Sequence, residues 1–286
     1  MDELIHKAGI LVEALPYIRA FQHKTVVIKY GGAAMNAVAM DRSFATDVTL
    51  LRYIGIQVVV VHGGGPQIGR MLERVGKKST FVDGMRVTDD ETMEIVEMVL
   101  GGSVNAEIVQ NIDRAGGRAV GLTGKDCGFI RVERLSGPGG KDLGRVGTPT
   151  RVDPAVLLTM TQSGFIPVVA PIGVDAAGLG YNVNADVAAA AIAAALRAEK
   201  LMLLTDVEGV LDADGKRISM LTSSEARAAI RAGVIKGGMI PKVECALGAV
   251  EKGVTSTHII DGRIPHALLL EIFTDGGVGT KLAIDG

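Results

Sequence analysis

The sequence predicts an α/β fold, a three-layer αβα sandwich built on one central, mainly parallel sheet. Short runs rich in β-branched residues are apolar almost throughout, which is typical of strands buried on both faces. The segments between these runs show the apolar periodicity of amphipathic helices. With 286 residues, the chain is long enough for one large α/β unit or for two closely joined lobes.

The first element expected is an amphipathic helix over residues 4–21, kinked at Pro16, whose apolar face could pack on its own domain or on another subunit. The strands are predicted at Thr25–Tyr30, Ile56–Val61, Arg118–Leu122, Ile166–Ala170, Lys200–Thr205 and Thr257–Ile260. The helices are predicted at Asp41–Ile54, Pro66–Val75, Asp89–Leu100, Asp153–Ser163, Ala185–Arg197, Ser223–Ala232 and Lys242–Lys252. The Gly/Pro-rich stretch Gly128–Arg151 is expected to form a protruding hairpin.

Composition excludes several classes of function. A formal net charge of -2, only 3% aromatic residues and no Trp argue against binding to nucleic acid or to an anionic membrane. Two cysteines, Cys127 and Cys245, cannot build a disulfide framework, which favours the reducing cytoplasm. The longest apolar run, residues 187–196, is too short to span a bilayer. We therefore expect a cytoplasmic protein that binds neither membrane nor nucleic acid.

Missing motifs narrow the chemistry further. Gly124-Lys125 lacks both the upstream Gly and the following Ser or Thr of a P-loop, and Ile68 stands where the third Gly of a dinucleotide fingerprint belongs. There is no G-x-S-x-G elbow, and the five histidines show no metal-ligand spacing. P-loop, dehydrogenase, hydrolase and zinc chemistry therefore have little support.

Two glycine-rich corners directly after strands are candidate anion sites. In the first, Lys29 is followed by Gly31 and Gly32, an arrangement that could hold phosphate oxygens through an ammonium group and open backbone amides. In the second, residues 63–65 are all Gly and precede Pro66 at the start of a helix, so backbone N–H groups can approach an anion. A snorkelling lysine and a merely tight turn are the alternatives.

Four later segments hold further candidates. Arg86 could grip a carboxylate with its planar guanidinium, although a surface ion pair explains it equally well. Asn182 and Asn184 could bind ligand or be turn residues, and Asp186 is a possible helix cap or an organiser of lysines. Asp206 follows a strand where doubly wound sheets bind ligands. Lys242 stands at a helix start, where a cation is unfavourable unless an anion holds it.

Together these motifs resemble the acetylglutamate kinases of the amino acid kinase family. The resemblance covers nearly the whole chain and rests on KYGGAAM, VHGGGPQI, DGMRVTD, YNVNADVAA, LLTDVEGVL, GGMIPKVECAL and EIFTDGGVGT. It implies ATP-dependent phosphorylation of the side-chain carboxylate of N-acetyl-L-glutamate to the 5-phosphate, the second step of arginine biosynthesis. A carboxylate is already a nucleophile at neutral pH, so no general base is needed.

The resemblance also implies roles for individual residues. Lys29 and Lys242 match the family's lysines that stabilise the transition state, and Asp186 would orient them. Binding of acetylglutamate would involve Gly64, Gly65, Arg86 and Asn182, and binding of the nucleotide would involve Gly31, Gly32, Gly63 and Asp206. We expect Mg²⁺ mainly on ATP oxygens and no metal held by the protein itself.

Two segments are similar to the arginine-inhibited, hexameric branch of that family: the N-terminal helix and residues 271–280. By this resemblance Tyr17, Glu271 and Gly277 would contact L-arginine as an inhibitor, and N-terminal helices would join dimers into a homohexamer, a trimer of dimers. The expected organisation is an oligomerisation helix over residues 1–24, an acetylglutamate lobe over 25–186 and an ATP lobe over 187–286. A kinase for glutamate or aspartate, and a non-catalytic sensor of arginine or nucleotide, are the alternatives.

Overall fold

The computed structural model describes residues 1–31, 35 and 38–285, with the backbone alone at residues 7 and 38–41. The strands are β1 Thr25–Tyr30, β2 Gln57–His62, β3 Phe81–Val82, β4 Met85–Arg86, β5 Ala119–Thr123, β6 Ile130–Ser136, β7 Asp142–Val152, β8 Ile166–Ala170, β9 Ile172–Val174, β10 Gly180–Val183, β11 Lys200–Thr205, β12 Met220–Thr222, β13 Ser256–Asp261 and β14 Thr280–Ala283. The helices are α1 Asp2–Phe21, α2 Val38–Tyr53, α3 Gly65–Arg74, α4 Asp90–Glu97, α5 Asn105–Arg114, α6 Ala155–Gln162, α7 Ala185–Ala195, α8 Ser223–Arg231, α9 Met239–Glu251 and α10 Ala267–Ile272.

The central sheet has eight strands in the order β12-β14-β13-β11-β1-β2-β8-β5. Six of them run parallel, and β14 pairs antiparallel with β13 and parallel with β12. The strands from residues 25–170 occupy one half of the sheet and those from residues 200–283 the other half, joined where β1 pairs with β11. The predicted α/β class and its mainly parallel sheet are confirmed.

Both faces of the sheet are buried by helices, which explains the nearly continuous apolar strands. Val26 and Ile28 of β1 face one core, which α2 to α5 and α10 cover, and Val27 faces the opposite core, which α6 to α9 cover. Each core-facing side chain contributes roughly 1.5–3 kcal/mol through its removal from water. The same burial holds the ends of the central strands in fixed positions, and these ends carry the candidate site.

The Gly/Pro-rich stretch forms the predicted hairpin, but the hairpin does not stand alone. Strands β6 and β7 join β9 and β10 in a small closed barrel, in which β7 pairs with β10 and β6 with β9. The expectation of a free protrusion was wrong because β9 and β10 were not recognised in the sequence. The barrel places β7 and β10 over the candidate site.

The N-terminal helix is one continuous helix that contains Pro16. Its last turns contact the rest of the chain, since Phe21 packs against the core and the ring of Tyr17 meets that of Phe273 edge-on at 6.3 Å. Its earlier turns expose six large apolar side chains, namely Leu4, Ile5, Ile10, Leu11, Val12 and Leu15. Over the described ranges, no helix is both long enough and apolar enough to cross a lipid bilayer.

Candidate active site

The candidate site lies at the carboxyl ends of the central strands, where β1, β2 and β11 stop and their loops turn toward the next helices. Lys29 is near the end of β1 and is only 7% exposed, because β2 and β11 flank it on both sides. A lysine in this position cannot snorkel fully to solvent, so its charge requires a partner inside the protein.

That partner is Asp186, in the first turn of α7, which also binds Lys242 in the first turns of α9. One carboxylate oxygen lies 3.1 Å from Nζ of Lys29, and the other accepts a hydrogen bond of 2.9 Å from Nζ of Lys242. Asp186, which was predicted to orient the two lysines, therefore contacts both Lys29 and Lys242. With two ammonium groups and one carboxylate, the cluster retains one positive charge, which suits an anionic substrate.

The two lysines also determine the charge of Asp186. Burial alone would raise the pKa of this carboxyl, but the positive charges of Lys29 and Lys242 outweigh it, and the pKa is lowered from its ordinary value. Asp186 is therefore an anion at neutral pH. It is not the helix cap, as one reading of the sequence held: Asn184 caps α7, its Oδ1 accepting from the amides of Asp186 and Val187 at 2.9 and 3.3 Å.

The two glycine corners pack against each other beside the lysines. A Cβ on Gly31 would lie 3.1 Å from the amide nitrogen of Gly63, so a side chain there would push the two corners apart by a few tenths of an ångström. The Gly63 amide donates to the carbonyl of Tyr30 at 2.8 Å, and it is therefore already paired rather than turned toward a phosphate. Gly32 lies outside the described residues.

Gly64 and Gly65 form the start of α3, which has no side-chain cap and carries Pro66 in its first turn. The first N–H groups of a helix lack intrahelical acceptors and attract anions. A Cβ on Gly64 would lie 2.4 Å from Cδ2 of Leu100, so any side chain there would force the buried Leu100 or the corner to shift. The corner thus offers backbone donors to an anion beside the positive cluster.

A cavity of about 520 Å³ opens beside this corner. It extends from Gly64 and Gly65 to Arg86 and Asn182, and β7 contributes Val146 to its wall. All four predicted acetylglutamate contacts therefore line one cavity, whose size falls within the usual range for small-molecule sites.

The guanidinium of Arg86 is oriented before any ligand arrives. Its Nη2 donates to the carbonyl of Gly65 at 2.9 Å, its Nη1 donates to the hydroxyl of Ser79, and the group lies 4.8 Å from the centre of the Phe81 ring. Burial lowers its pKa, yet arginine stays charged at physiological pH. A guanidinium has five N–H donors, so these contacts orient it without exhausting it. Asn182 is oriented too, since its Nδ2 donates to Thr88 Oγ1 at 3.3 Å.

Asp206 lies at the end of β11 and is exposed, on the half of the sheet formed by the C-terminal strands. The hydroxyl of Thr205 donates to its carboxylate at 3.3 Å. Among the described residues, no three His, Cys, Asp or Glu side chains come together in a way that could hold a metal ion.

The three predicted arginine contacts lie around the C-terminal segment. Tyr17 donates a hydrogen bond of 2.6 Å to Asp275, which ties α1 to this segment. The Glu271 carboxylate is 6% exposed; one oxygen lies 2.6 Å from Nδ1 of His258, and the other accepts from the amides of residues 278 and 279. Gly277 adopts φ +54°, and a Cβ there would meet the Glu271 carboxylate at 2.7 Å.

Two buried residues behind the glycine corner were missed in the sequence. His62, the last residue of β2, bonds to the Gly63 carbonyl, and Asn105, the first residue of α5, bonds to His62. His62 was considered only as a metal ligand, although a histidine directly before three glycines was a visible signal. Asn105 lay in a helix that was not predicted.

Known proteins are similar to this chain over nearly its whole length. The amino acid kinase family matches residues 24–261. The acetylglutamate kinase of Syntrophobacter fumaroxidans is 57% identical over 98% of this chain and 97% of its own length, and that of Halorhodospira halophila is 57% identical over 96% of this chain and 95% of its own.

Solved structures share the fold. The N-acetylglutamate synthase from Neisseria gonorrhoeae, complexed with coenzyme A and N-acetyl-glutamate, superposes with a TM-score of 0.86 at 26% identity; the match covers 98% of this chain and 64% of that one. The same synthase complexed with coenzyme A and L-arginine has a TM-score of 0.83. Carbamate kinase from Giardia lamblia bound to AMP-PNP has a TM-score of 0.69 at 19% identity over 92% of this chain, a likeness of fold alone.

Proposed function

Because the chain belongs to the amino acid kinase family, we propose that it phosphorylates the side-chain carboxylate of N-acetyl-L-glutamate with ATP, in the second step of arginine biosynthesis. The observation that carries the proposal is the carboxylate of Asp186 held between Lys29 and Lys242, beside a cavity lined by Arg86. The full-length likeness to acetylglutamate kinases supports this choice of substrate.

The reaction needs alignment and charge neutralisation rather than acid–base chemistry. An oxygen of the acetylglutamate side-chain carboxylate attacks the γ-phosphorus of ATP, and the bond from that phosphorus to the β–γ bridging oxygen breaks. The electron pair leaves with ADP, and the product is an acyl phosphate. The nucleophile is ionised at neutral pH, so no residue has to remove a proton from it.

During the transfer, negative charge accumulates around the γ-phosphoryl group, between the β-phosphate of ATP and the attacking carboxylate. The two lysines neutralise this charge. Lys29 reaches the cluster from β1 and Lys242 from α9, so the pair can hold oxygens on either side of the transferring phosphorus. Asp186 keeps both ammonium groups in place while leaving them one positive charge in excess. Losing one such preorganised donor typically costs about 2.7–4 kcal/mol of transition-state stabilisation.

Recognition of the acceptor is assigned to the cavity. Arg86 would hold the α-carboxylate through two parallel hydrogen bonds, and Asn182 would bind a polar group beside it. The backbone of Gly64 and Gly65 would bind the reacting carboxylate at the start of α3.

For the nucleotide, we propose the backbone of Gly31 and Gly32 on the phosphate side, with Gly63 holding the corner in place through its bond to Tyr30, and Asp206 farther along the sheet edge. Gly31 and Gly63 line the packed corner, whereas Gly32 rests on the resemblance alone. Mg²⁺ would arrive as part of MgATP: both oxygens of Asp186 already face lysines, so this carboxylate is not free to bind the metal. This division would place the acceptor on the lobe over residues 25–186 and the part of the nucleotide near Asp206 on the lobe over residues 187–286, with the phosphates reaching the glycine corners of the first lobe.

We further propose feedback inhibition by L-arginine through Tyr17, Glu271 and Gly277. Support comes from the Tyr17–Asp275 hydrogen bond, which couples α1 to the segment that carries the other two residues. A carboxylate as buried as that of Glu271 suits a guanidinium ligand, although its present partners would have to share it.

The exposed apolar side chains of α1 support a hexamer in which these helices join dimers.

Both cysteines are free, which supports the reducing cytoplasm as the site of the reaction.

The test is ATP-dependent formation of an acyl phosphate from N-acetylglutamate, trapped with hydroxylamine, in parallel with glutamate and aspartate. We expect product with N-acetylglutamate and at least ~100-fold less in Lys242→Met, which lacks the second ammonium group. Product only with glutamate or aspartate would reassign the substrate, and equal product from Lys242→Met would remove the proposed catalytic role. Adding L-arginine to the same assay tests the inhibition.

A further inference from the structure

The imidazole of His62 is completely buried behind the glycine corner and does not line the cavity. Two contacts hold its ring. Nδ1 lies 2.8 Å from the carbonyl oxygen of Gly63, and Nε2 lies 3.1 Å from Nδ2 of Asn105. Which of these two groups the ring donates to depends on which nitrogen carries its proton.

Asn105 decides which ring nitrogen carries the proton. Its Nδ2 also donates to the carbonyl oxygen of Val168 at 2.9 Å; because a carbonyl only accepts, the amide nitrogen must be the atom pointing this way. One amide hydrogen goes to Val168 and the other to Nε2 of His62, so Nε2 accepts and is unprotonated. The proton therefore sits on Nδ1, which donates it to the Gly63 carbonyl.

The ring stays neutral across the physiological range. Burial lowers the pKa of His62 to about 4, although the hydrogen bond to Gly63 opposes the shift. A neutral imidazole with a single tautomer gives a single hydrogen-bond pattern. The bond to Gly63 is thus a permanent feature of the fold rather than one that switches near neutral pH.

This bond has a geometric consequence for the next residue. The Gly63 carbonyl and the Gly64 N–H belong to one planar peptide, and in a trans peptide these two groups point in opposite directions. The described chain contains no cis peptide. Since His62 draws the carbonyl into the interior, the Gly64 N–H points away from the interior, and Gly64 lines the cavity.

The other side of Gly63 is fixed as well. Its own amide donates to the carbonyl of Tyr30 at 2.8 Å, so both peptide groups that flank the Gly63 Cα are held. Glycine has the greatest backbone freedom of all residues. Without these two hydrogen bonds the corner could rotate, and the Gly64 N–H would not keep a fixed direction. The fixed corner supplies the preorganisation that electrostatic stabilisation requires.

We propose that His62, its tautomer set by Asn105, is a positioning residue that aims the Gly64 amide at an oxygen of the reacting carboxylate–phosphoryl pair. The inference rests on the proposed function and deepens it, because it concerns the same site. His62 acts through the backbone of its neighbours and touches neither substrate.

Two variants separate positioning from mere packing. His62→Leu fills the space without a donor, whereas His62→Asn places an amide nitrogen close to where Nδ1 stands and can still donate to the Gly63 carbonyl. For His62→Leu we expect kcat to fall ~10- to 100-fold, with KM for ATP changed less than about twofold. This is smaller than the ~100- to 1000-fold loss known for removing one oxyanion donor, because the Gly64 amide is misdirected rather than removed. For His62→Asn we expect kcat within about fivefold of wild type.

Circular dichroism and thermal unfolding verify that each variant is folded. If His62→Leu does not fold, His62→Gln replaces it, because its longer amide reaches the Nε2 position and leaves Nδ1 without a substitute. Equal losses in the donor-retaining and donor-lacking variants, or wild-type kcat in the donor-lacking one, would overturn the proposal.

A second measurement does not depend on turnover. In protein labelled with ¹⁵N-histidine, the His62 resonances, assigned by their loss in His62→Asn, should show a proton on Nδ1 and none on Nε2 from pH 6 to 9. A proton on Nε2 would overturn the proposal. If the wild type forms no acyl phosphate while Nδ1 is protonated, the proposed function fails and the fixed corner stands; if the wild type is active and Nε2 is protonated, the positioning role alone fails.

Discussion

Lys29 and Lys242 bind the two oxygens of one carboxylate, although one lies at the end of the first strand and the other near the start of the ninth helix. Asp186 between them begins α7, which packs against β1. The pairing of β1 with β11 brings the two halves of the chain together at this point. The charge arrangement of the site is therefore a property of the assembled sheet, and removing its central anion should disturb both lysines at once.

For Asp186→Asn we expect kcat to fall at least ~100-fold, because both ammonium groups lose the anion that holds them and repel each other. Breaking a buried ion pair by removing one partner also costs about 3–5 kcal/mol of stability. Trapping of the acyl phosphate and urea unfolding measure the two effects. Glu251→Gln, which breaks the exposed pair with Arg227, is the matched control and should change neither by much. Asp186→Asn with wild-type kcat would contradict an organising role.

The guanidinium of Arg86 should matter through its shape as well as its charge. Arg86→Lys keeps the charge but loses the two parallel donors, so we expect KM for acetylglutamate to rise ~10-fold or more while KM for ATP stays within about twofold. Initial rates with each substrate varied in turn measure this. Arg227→Lys on the surface is the control. A change confined to KM for ATP would move Arg86 out of the acceptor site.

Buried His62 should make the protein sensitive to acid. Its pKa is lowered to about 4 when folded, against an ordinary value of 6.5, so below pH 6.5 the unfolded chain binds more protons than the folded one. The stability contributed by the neutral ring is complete above pH 6.5 and is lost as the pH falls toward 4, by roughly 3 kcal/mol in all. Urea unfolding of wild type and His62→Asn between pH 4.5 and 8 measures the difference between them. A difference that does not change with pH would show that the ring is not held neutral.

Gly277 should not tolerate a side chain in the proposed arginine site. It has φ +54°, and a Cβ there would lie 2.7 Å from the Glu271 carboxylate, so Gly277→Ala strains the backbone and displaces that carboxylate. We expect the arginine concentration for half-maximal inhibition to rise at least ~10-fold, which is a loss of about 1.4 kcal/mol of binding. Gly276→Ala, with open space around its Cβ, is the control. Unchanged inhibition in Gly277→Ala would place the arginine site elsewhere.

The strands that bury both faces could be predicted closely from sequence. Thr25–Tyr30, Ile166–Ala170 and Lys200–Thr205 match the observed strands to the residue, because no helical pattern competes with a short run of β-branched and other apolar residues bounded by polar turns. The short strands β9, β10, β12 and β14 were missed. Their three or four residues carry too little periodicity, and long-range pairing stabilises them.

The helix that ends at Leu100 in the prediction continues instead through a π-helical segment, Met98–Val104, into α5. The pair Gly101-Gly102 indicated the end of a helix, but packing of Leu100 and Val104 in the core overrides this local preference.

The site residues that lie within the recognised motifs could be named from the sequence alone. His62 and Asn105 were not named, because their role depends on a contact between β2 and a helix that the sequence did not reveal.

The same π-helical segment leads to a final prediction. Leu100 contacts Gly64 so closely that a Cβ on Gly64 would lie 2.4 Å from its Cδ2, and Leu100 is buried and cannot move freely. For Gly64→Ala we expect kcat to fall ~10- to 100-fold, because the corner must shift and its amide loses its aim. Adding Leu100→Ala removes the collision. The double variant should therefore reverse at least a third of the increase in activation free energy, measured by a double-mutant cycle on kcat. If the effects of the two substitutions simply add, the collision with Leu100 is not what makes glycine necessary at position 64. Glycine is then needed to let the substrate approach the corner.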